Sequence, residues 1–193
     1  MKFTVVCTDL DTGKPVYHEC PNGDVEDIEW MRASASIPVA SRPVMLGGKR
    51  LLDGGVSDPI PVKWMLSRGY EKNVVVLTRD VKYRKKANPK MQLFLKAVLH
   101  KYPAFLKDLE ERHIHYNETL EELASLEKEG RIHIIRPSSP IQAAMIERDE
   151  SNLERIYQTG RADMKKGFGE AESLPGFLNH RPKQNSTYTL SML

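Results

Sequence analysis

Residues 51–62 read LLDGGVSDPIPV, a carboxylate, two glycines and a Pro-x-Pro set between two apolar segments. Two readings fit. In the first, Asp53-Gly54-Gly55 is a tight turn whose glycines supply positive φ angles, and Pro59 and Pro61 stop the next residues from continuing a central strand. In the second, Asp53 ends a strand where the backbone must pass close to something else, and Gly54 and Gly55 stand there because no side chain fits. The second reading implies chemistry at the carboxylate. From these residues alone the turn is the simpler expectation.

Other polar groups offer less. His113 and His115 form an HxH on an expected helix, where positions two apart point to different faces and cannot easily share a metal ion, so they read as solvent-facing. Asp9, Asp11 and Asp58 carry the charge for a divalent cation, but Asp9-x-Asp11 falls on an expected hairpin turn, where acidic residues are ordinary. No metal is expected. The basic run KYRKK, residues 82–86, leads into a segment with Met91, Phe94, Leu95, Val98 and Leu99 on one apolar face. Either it is a solvated loop before a core helix, the simpler reading, or it holds the protein at an anionic membrane.

The elements that must position these residues follow from periodicity. KFTVVCTDLDTGKPVYHE alternates around Asp11-Thr12-Gly13-Lys14 and predicts a hairpin. Asp24 caps a helix in which Val25, Ile28, Trp30 and Met31 recur at helical spacing, ended by Pro38 and Pro43. Two short apolar runs flank Gly47-Gly48, and a short helix runs from Pro61 to Arg68, closed by Gly69. NVVVLTR, residues 73–79, reads as a strand covered on both faces, the best core strand, in a parallel βα arrangement. Two helices divided near Pro103 and stopped at Gly130, a strand at residues 131–137 and a last helix capped by Asp149 or Ser151 complete an α/β layered chain. The opening strand pair has no βαβ unit before it, so the sheet looks like the second half of something larger.

Composition narrows the partners. With 29 basic and 26 acidic residues the net charge is +3, well short of the basic excess that a phosphate backbone demands, so no nucleic-acid partner is expected. Cys7 and Cys20 match neither a CxxC pair nor a zinc-ligand set and read as reduced thiols. The opening residues lack the pattern of a secretory signal, and no apolar run approaches the roughly 20 residues that span a bilayer. The cytoplasm is the expected compartment, with peripheral membrane contact as the remaining option.

Taken together, VVCTDLDTGKPVYH, MRASASIPVASRPVMLGGKRLLDGGVSDPIPV and VVVLTR resemble the patatin-like phospholipase family, and more narrowly its bacterial serine hydrolases, from about Phe3 to Phe168. The middle piece is the specific one. The resemblance implies a layered α/β/α patatin-like fold, here only its C-terminal part, with residues 1–169 in the domain and 170–193 as a flexible tail. It further implies a cofactor-free lipid acyl hydrolase with a Ser–Asp dyad, in which Asp53 is the catalytic aspartate, Gly54, Gly55 and Asp58 form the active-site loop, and Ser36, Ile37, Pro38, Met45 and Leu46 line the acyl site. For those five residues, and for Leu52, plain core packing is the alternative.

The chain departs from the family pattern in one large respect: it contains no GxSxG, and no glycine-rich oxyanion loop upstream of it. A serine on an ordinary helix cannot replace a nucleophile elbow with its oxyanion donors. Ser34 and Ser36 are the nearest substitutes, and packing or capping is the expectation for both. The nucleophile is therefore expected on an N-terminal half of the full-length protein, and this chain alone should be nearly inert. The expected partner is a lipid or ester substrate. A catalytically inactive patatin-fold regulator that binds lipid or protein is the alternative, and a plain α/β interaction domain is a second one.

Overall fold

A computed structural model describes residues 2–144 and 147–174. The chain divides into two compact units: the first holds the described residues before 62 together with Lys85–Thr119, and the second holds Val62–Arg84 with the described residues from 120 onward.

In the first unit, β1 (Thr4–Asp9) and β2 (Pro15–Glu19) form the expected hairpin, with Gly13 at φ 72° in its turn. Helix α1 (Val25–Ser34) follows, its N-terminus capped by the Asp24 carboxylate. Strands β3 (Val44–Leu46) and β4 (Lys49–Asp53) form a second hairpin whose turn residues Gly47 and Gly48 both have positive φ, as a two-residue turn of this twist requires. The four strands make an antiparallel sheet in the order β2-β1-β4-β3, and β1 meets β4 with Cys7 opposite Asp53.

That sheet is covered on both faces. Val5, Cys7, Val44 and Leu51 pack with Trp30 and Ala33 of α1. Leu10, Leu52 and Val56 pack with Leu99 of α3 (Pro89–Leu99) and Phe105 of α4 (Pro103–Lys128). Neighbouring Leu51 and Leu52 point to opposite layers, as strand geometry dictates, and the layering is α/β/α. The face of α1 differs from its apolar spacing: Val25 and Ile28 are exposed, while Asp27, Trp30 and Ala33 turn inward. Asp27 is drawn in because its carboxylate accepts the N–H groups of Asn22 and Gly23, at 2.9 and 2.7 Å.

The second unit contains α2 (Val62–Ser67), β5 (Asn73–Val76), β6 (Ile132–Ile135) and α5 (Glu150–Ser173), with α4 entering it at Leu120. β5 and β6 pair in parallel, Asn73 opposite Ile132, as the helical crossover between them requires. The enclosed strand of this pair is β6, buried along its length; Val74, Val75 and Val76 of β5 are half-buried, so the β-branched run is not the fully covered strand its sequence suggests. Helix α5 is capped by Asp149 and crosses β6 at Gly167, where a β-carbon would stand 2.7 Å from Ile135 Cγ1. It continues through Ser173, into the stretch expected as tail; residues 175–193 lie outside the described residues. Among the described residues, no helix is long and apolar enough to cross a membrane.

Candidate functional site

Asp53 is the last residue of β4 and the cap of a single 3-10 turn, Gly54–Val56. Neither Gly54 nor Gly55 has a positive φ, so the hairpin-type turn favoured by the dipeptides is not what forms. The close-approach reading describes Gly54: a β-carbon there would lie 2.2 Å from the carbonyl oxygen of Val6. β4 and its turn are pressed against β1 with no room for a side chain.

This packing fixes the Asp53 backbone and orients its carboxylate. Its N–H donates to the Ser36 carbonyl at 2.9 Å, its carbonyl accepts from the buried Thr8 hydroxyl at 2.8 Å, and its Oδ1 accepts from Gly55 N–H at 2.8 Å. The other carboxylate oxygen, Oδ2, takes no hydrogen bond from the described residues. With its one proton directed at Asp53, Thr8 accepts in turn from Ser57, whose hydroxyl stands 2.8 Å away. Arg112 of α4 donates Nε–H to the Gly55 carbonyl at 2.5 Å.

Asp58 is tied to the same loop. Its N–H donates to the Gly54 carbonyl, and its Oδ2 accepts from Tyr17 of β2 at 2.5 Å. Burial, then the hydrogen bond to Asp58, push the Tyr17 phenol well above its usual range. Cys7, opposite Asp53 in the sheet, is fully buried; burial first, then the charges of Cys20 and Asp53, push its thiol up to about 12. It remains a protonated thiol, not a nucleophile.

The remaining sequence candidates separate. Ser36 is buried beside Asp53, and its hydroxyl caps α1 by donating to the Arg32 carbonyl at 2.8 Å. The Ser34 hydroxyl donates to the Val6 carbonyl at 2.7 Å, the expected packing role. Ile37 is exposed and Pro38 half-buried, at the head of a turn closed by Ser41 N–H to the Ile37 carbonyl. Within that turn Val39 has φ 71°, which a β-branched residue adopts only under strain. Met45 and Leu46 pair with Arg50 and Lys49, roughly 10 Å or more along β4 from Asp53. Met45 is exposed, and Leu46 packs against the α1 core, as does Leu51; Leu52 is buried in the opposite core. The structure thus joins Ser36 to Asp53 and leaves Met45 and Leu46 apart from it.

Asp9 pairs with Lys49 at 3.2 Å and Asp11 with Arg50, so neither converges with Asp58. His113 is half-buried against the Glu110 carbonyl, whereas His115 pairs with Glu111 and Glu118, and the two do not share a site. A cluster the spacing did not suggest is His18, Cys20 and Asp27, whose donor atoms lie within 4.8 Å of one another. Its groups already have work in the fold: His18 stacks on Trp30, Asp27 holds the Asn22–Gly23 turn, and burial keeps the Cys20 thiol protonated by raising its pKa.

Thr8, Ser57 and Arg112 were not legible as site residues either. Each acts through a backbone carbonyl or hydroxyl 45 or more positions away, as Thr8 to Asp53 and Arg112 to Gly55 show.

Two family models match parts of the chain. A model for patatin-like phospholipases matches residues 3–65, which hold the whole four-stranded sheet, α1 and the Asp53 loop. A second model, for a domain of unknown function (DUF6363), matches residues 102–174. No curated protein matches the chain. The mixed strand and helix content and the matched segment make this an α/β, patatin-like fold, and the match suggests a hydrolase acting on lipid.

Proposed function

We propose that this chain carries the aspartate arm of a lipid acyl hydrolase, in which Asp53 partners a serine on a GxSxG turn that these 193 residues do not contain. The observation that carries the reading is the state of the Asp53 carboxylate: Oδ1 is held by Gly55 N–H, and Oδ2 has no hydrogen-bond partner among the described residues. Such a carboxylate can orient a serine hydroxyl and accept its proton while the oxygen attacks an ester carbonyl. The proton then goes to the departing alcohol. Water hydrolyses the acyl-serine, giving its own proton to the carboxylate before the serine recovers one. Gly54 and Gly55 keep the loop narrow, Asp58 braces it through Tyr17, and Ser36, Ile37 and Pro38 bring the acyl site to Asp53. The substrate would be a phospholipid or another carboxylic ester of a lipid.

A second reading, a catalytically inactive patatin-fold protein that binds lipid or a partner protein, draws on the same missing serine. Both are tested on the protein isolated from its native source and treated with a fluorophosphonate that labels activated serines. A mass above 22.0 kDa with one adduct, and loss of ester turnover in Asp53→Asn with an unchanged circular dichroism spectrum, is the expected result. A mass of 22.0 kDa without adduct, or full turnover in Asp53→Asn, overturns the enzyme reading.

A further inference from the structure

Helix α3 is apolar on two sides, and only one of them is used inside the fold. Leu95 and Leu99 turn inward onto Leu10, Leu52, Val56 and Phe105. On the outward side Met91, Phe94 and Val98 fall at i, i+3 and i+7, which places them on one stripe, and Leu93 adjoins it. These four are 51%, 51%, 46% and 72% exposed, in that order. A surface helix ordinarily turns polar residues outward, and a contiguous apolar patch on the outside marks a site of association.

Charge says what it associates with. The chain has 26 acidic residues, yet none lies between Asp80 and Asp108, whereas eight lysines and arginines, from Lys82 to Lys107, fall there. All of these but Lys85 are exposed, and Lys90 lies in the first turn of the helix beside Met91. Lys96 pairs with Glu110 at 2.9 Å, and Lys85 lies over the Tyr116 ring. A protein partner with a mixed surface gives no reason for twenty-seven consecutive positions, 81–107, to avoid every carboxylate. A negatively charged lipid surface does: the apolar stripe enters the acyl boundary, and the lysine stems reach back to the headgroups.

We infer that α3 is an interfacial helix that docks the protein on an anionic lipid surface through Met91, Leu93, Phe94 and Val98, with Lys86 and Lys90 at its rim. This deepens the lipid reading of the Asp53 site, but vesicle binding is read without turnover, so the two fail separately.

The test is co-sedimentation of the full chain with vesicles of phosphatidylcholine alone and of phosphatidylcholine with phosphatidylglycerol. The expected result is binding to the anionic vesicles only, weakened by salt. Phe94→Asp with Val98→Asp should lower the partition coefficient at least tenfold, and each of Lys86→Gln and Lys90→Gln should lower it roughly fivefold. All four positions are exposed, and circular dichroism and size-exclusion chromatography check that the variants fold. Absence of binding, equal binding to neutral vesicles, or binding unchanged in Phe94→Asp/Val98→Asp overturns the inference. So does self-association of the wild type that this double variant abolishes, because the face would then belong to a second copy.

Discussion

Gly54 and Val6 approach so closely that a β-carbon on Gly54 would stand 2.2 Å from the Val6 carbonyl oxygen and 2.5 Å from its carbonyl carbon. Neither atom can rotate away, since both belong to the backbone of β1. Gly54→Ala should therefore lower stability by about 3 kcal/mol, the upper range for overpacking, measured as a shift in the urea midpoint. Gly160→Ala is the control. It lies on the exposed side of α5 with nothing within 4 Å of the new methyl, and should stabilise by about 0.5–1 kcal/mol. Equal stability of Gly54→Ala and wild type would remove the steric reason for the glycine.

The same contact explains what could be read from the sequence. Gly13, Gly47, Gly48, Gly69 and Gly130 all take positive φ where turn or helix-end patterns place them, because that demand is local. Gly54 obeys a different demand, set by a strand 48 positions earlier, and a Gly-Gly pair looks alike in both settings. Helix α1 was legible as a helix from its cap and spacing, yet its inward face was not, because two backbone N–H groups pull Asp27 inside. Asp53 could be singled out from its motif. Thr8, Tyr17 and Arg112 could not, since only the folded sheet and α4 bring them to its loop.

Tyr17 and Asp58 join β2 to the loop that follows Asp53 through a hydrogen bond of 2.5 Å. Bonds to a charged acceptor contribute about 1.5–3 kcal/mol, so Tyr17→Phe should cost roughly 1.5 kcal/mol. Asp58→Asn should make part of that loss redundant. A double-mutant cycle with the two substitutions is expected to give a coupling of about 1 kcal/mol; additivity within about 0.3 kcal/mol would mean that the pair does not brace the loop.

Cys7 offers a prediction on pH. Burial, with Cys20 and Asp53 nearby, raises its folded pKa from 9.0 to about 12. Above the lower value the unfolded chain releases the thiol proton while the folded chain keeps it, so the folded state binds more protons and stability falls with rising pH. The contribution is fully present below 9.0 and is lost progressively toward 12. Cys7→Ala leaves a cavity and should be less stable at neutral pH, but it has no thiol to titrate. The gap between its urea midpoint and that of the wild type should accordingly narrow from about pH 8 to about pH 10.5. Tyr17, whose phenol is also raised, titrates in both proteins and cancels in the comparison. A constant gap would mean that the Cys7 thiol ionises as easily in the folded sheet as in the unfolded chain, and that the wall behind Asp53 is open to water.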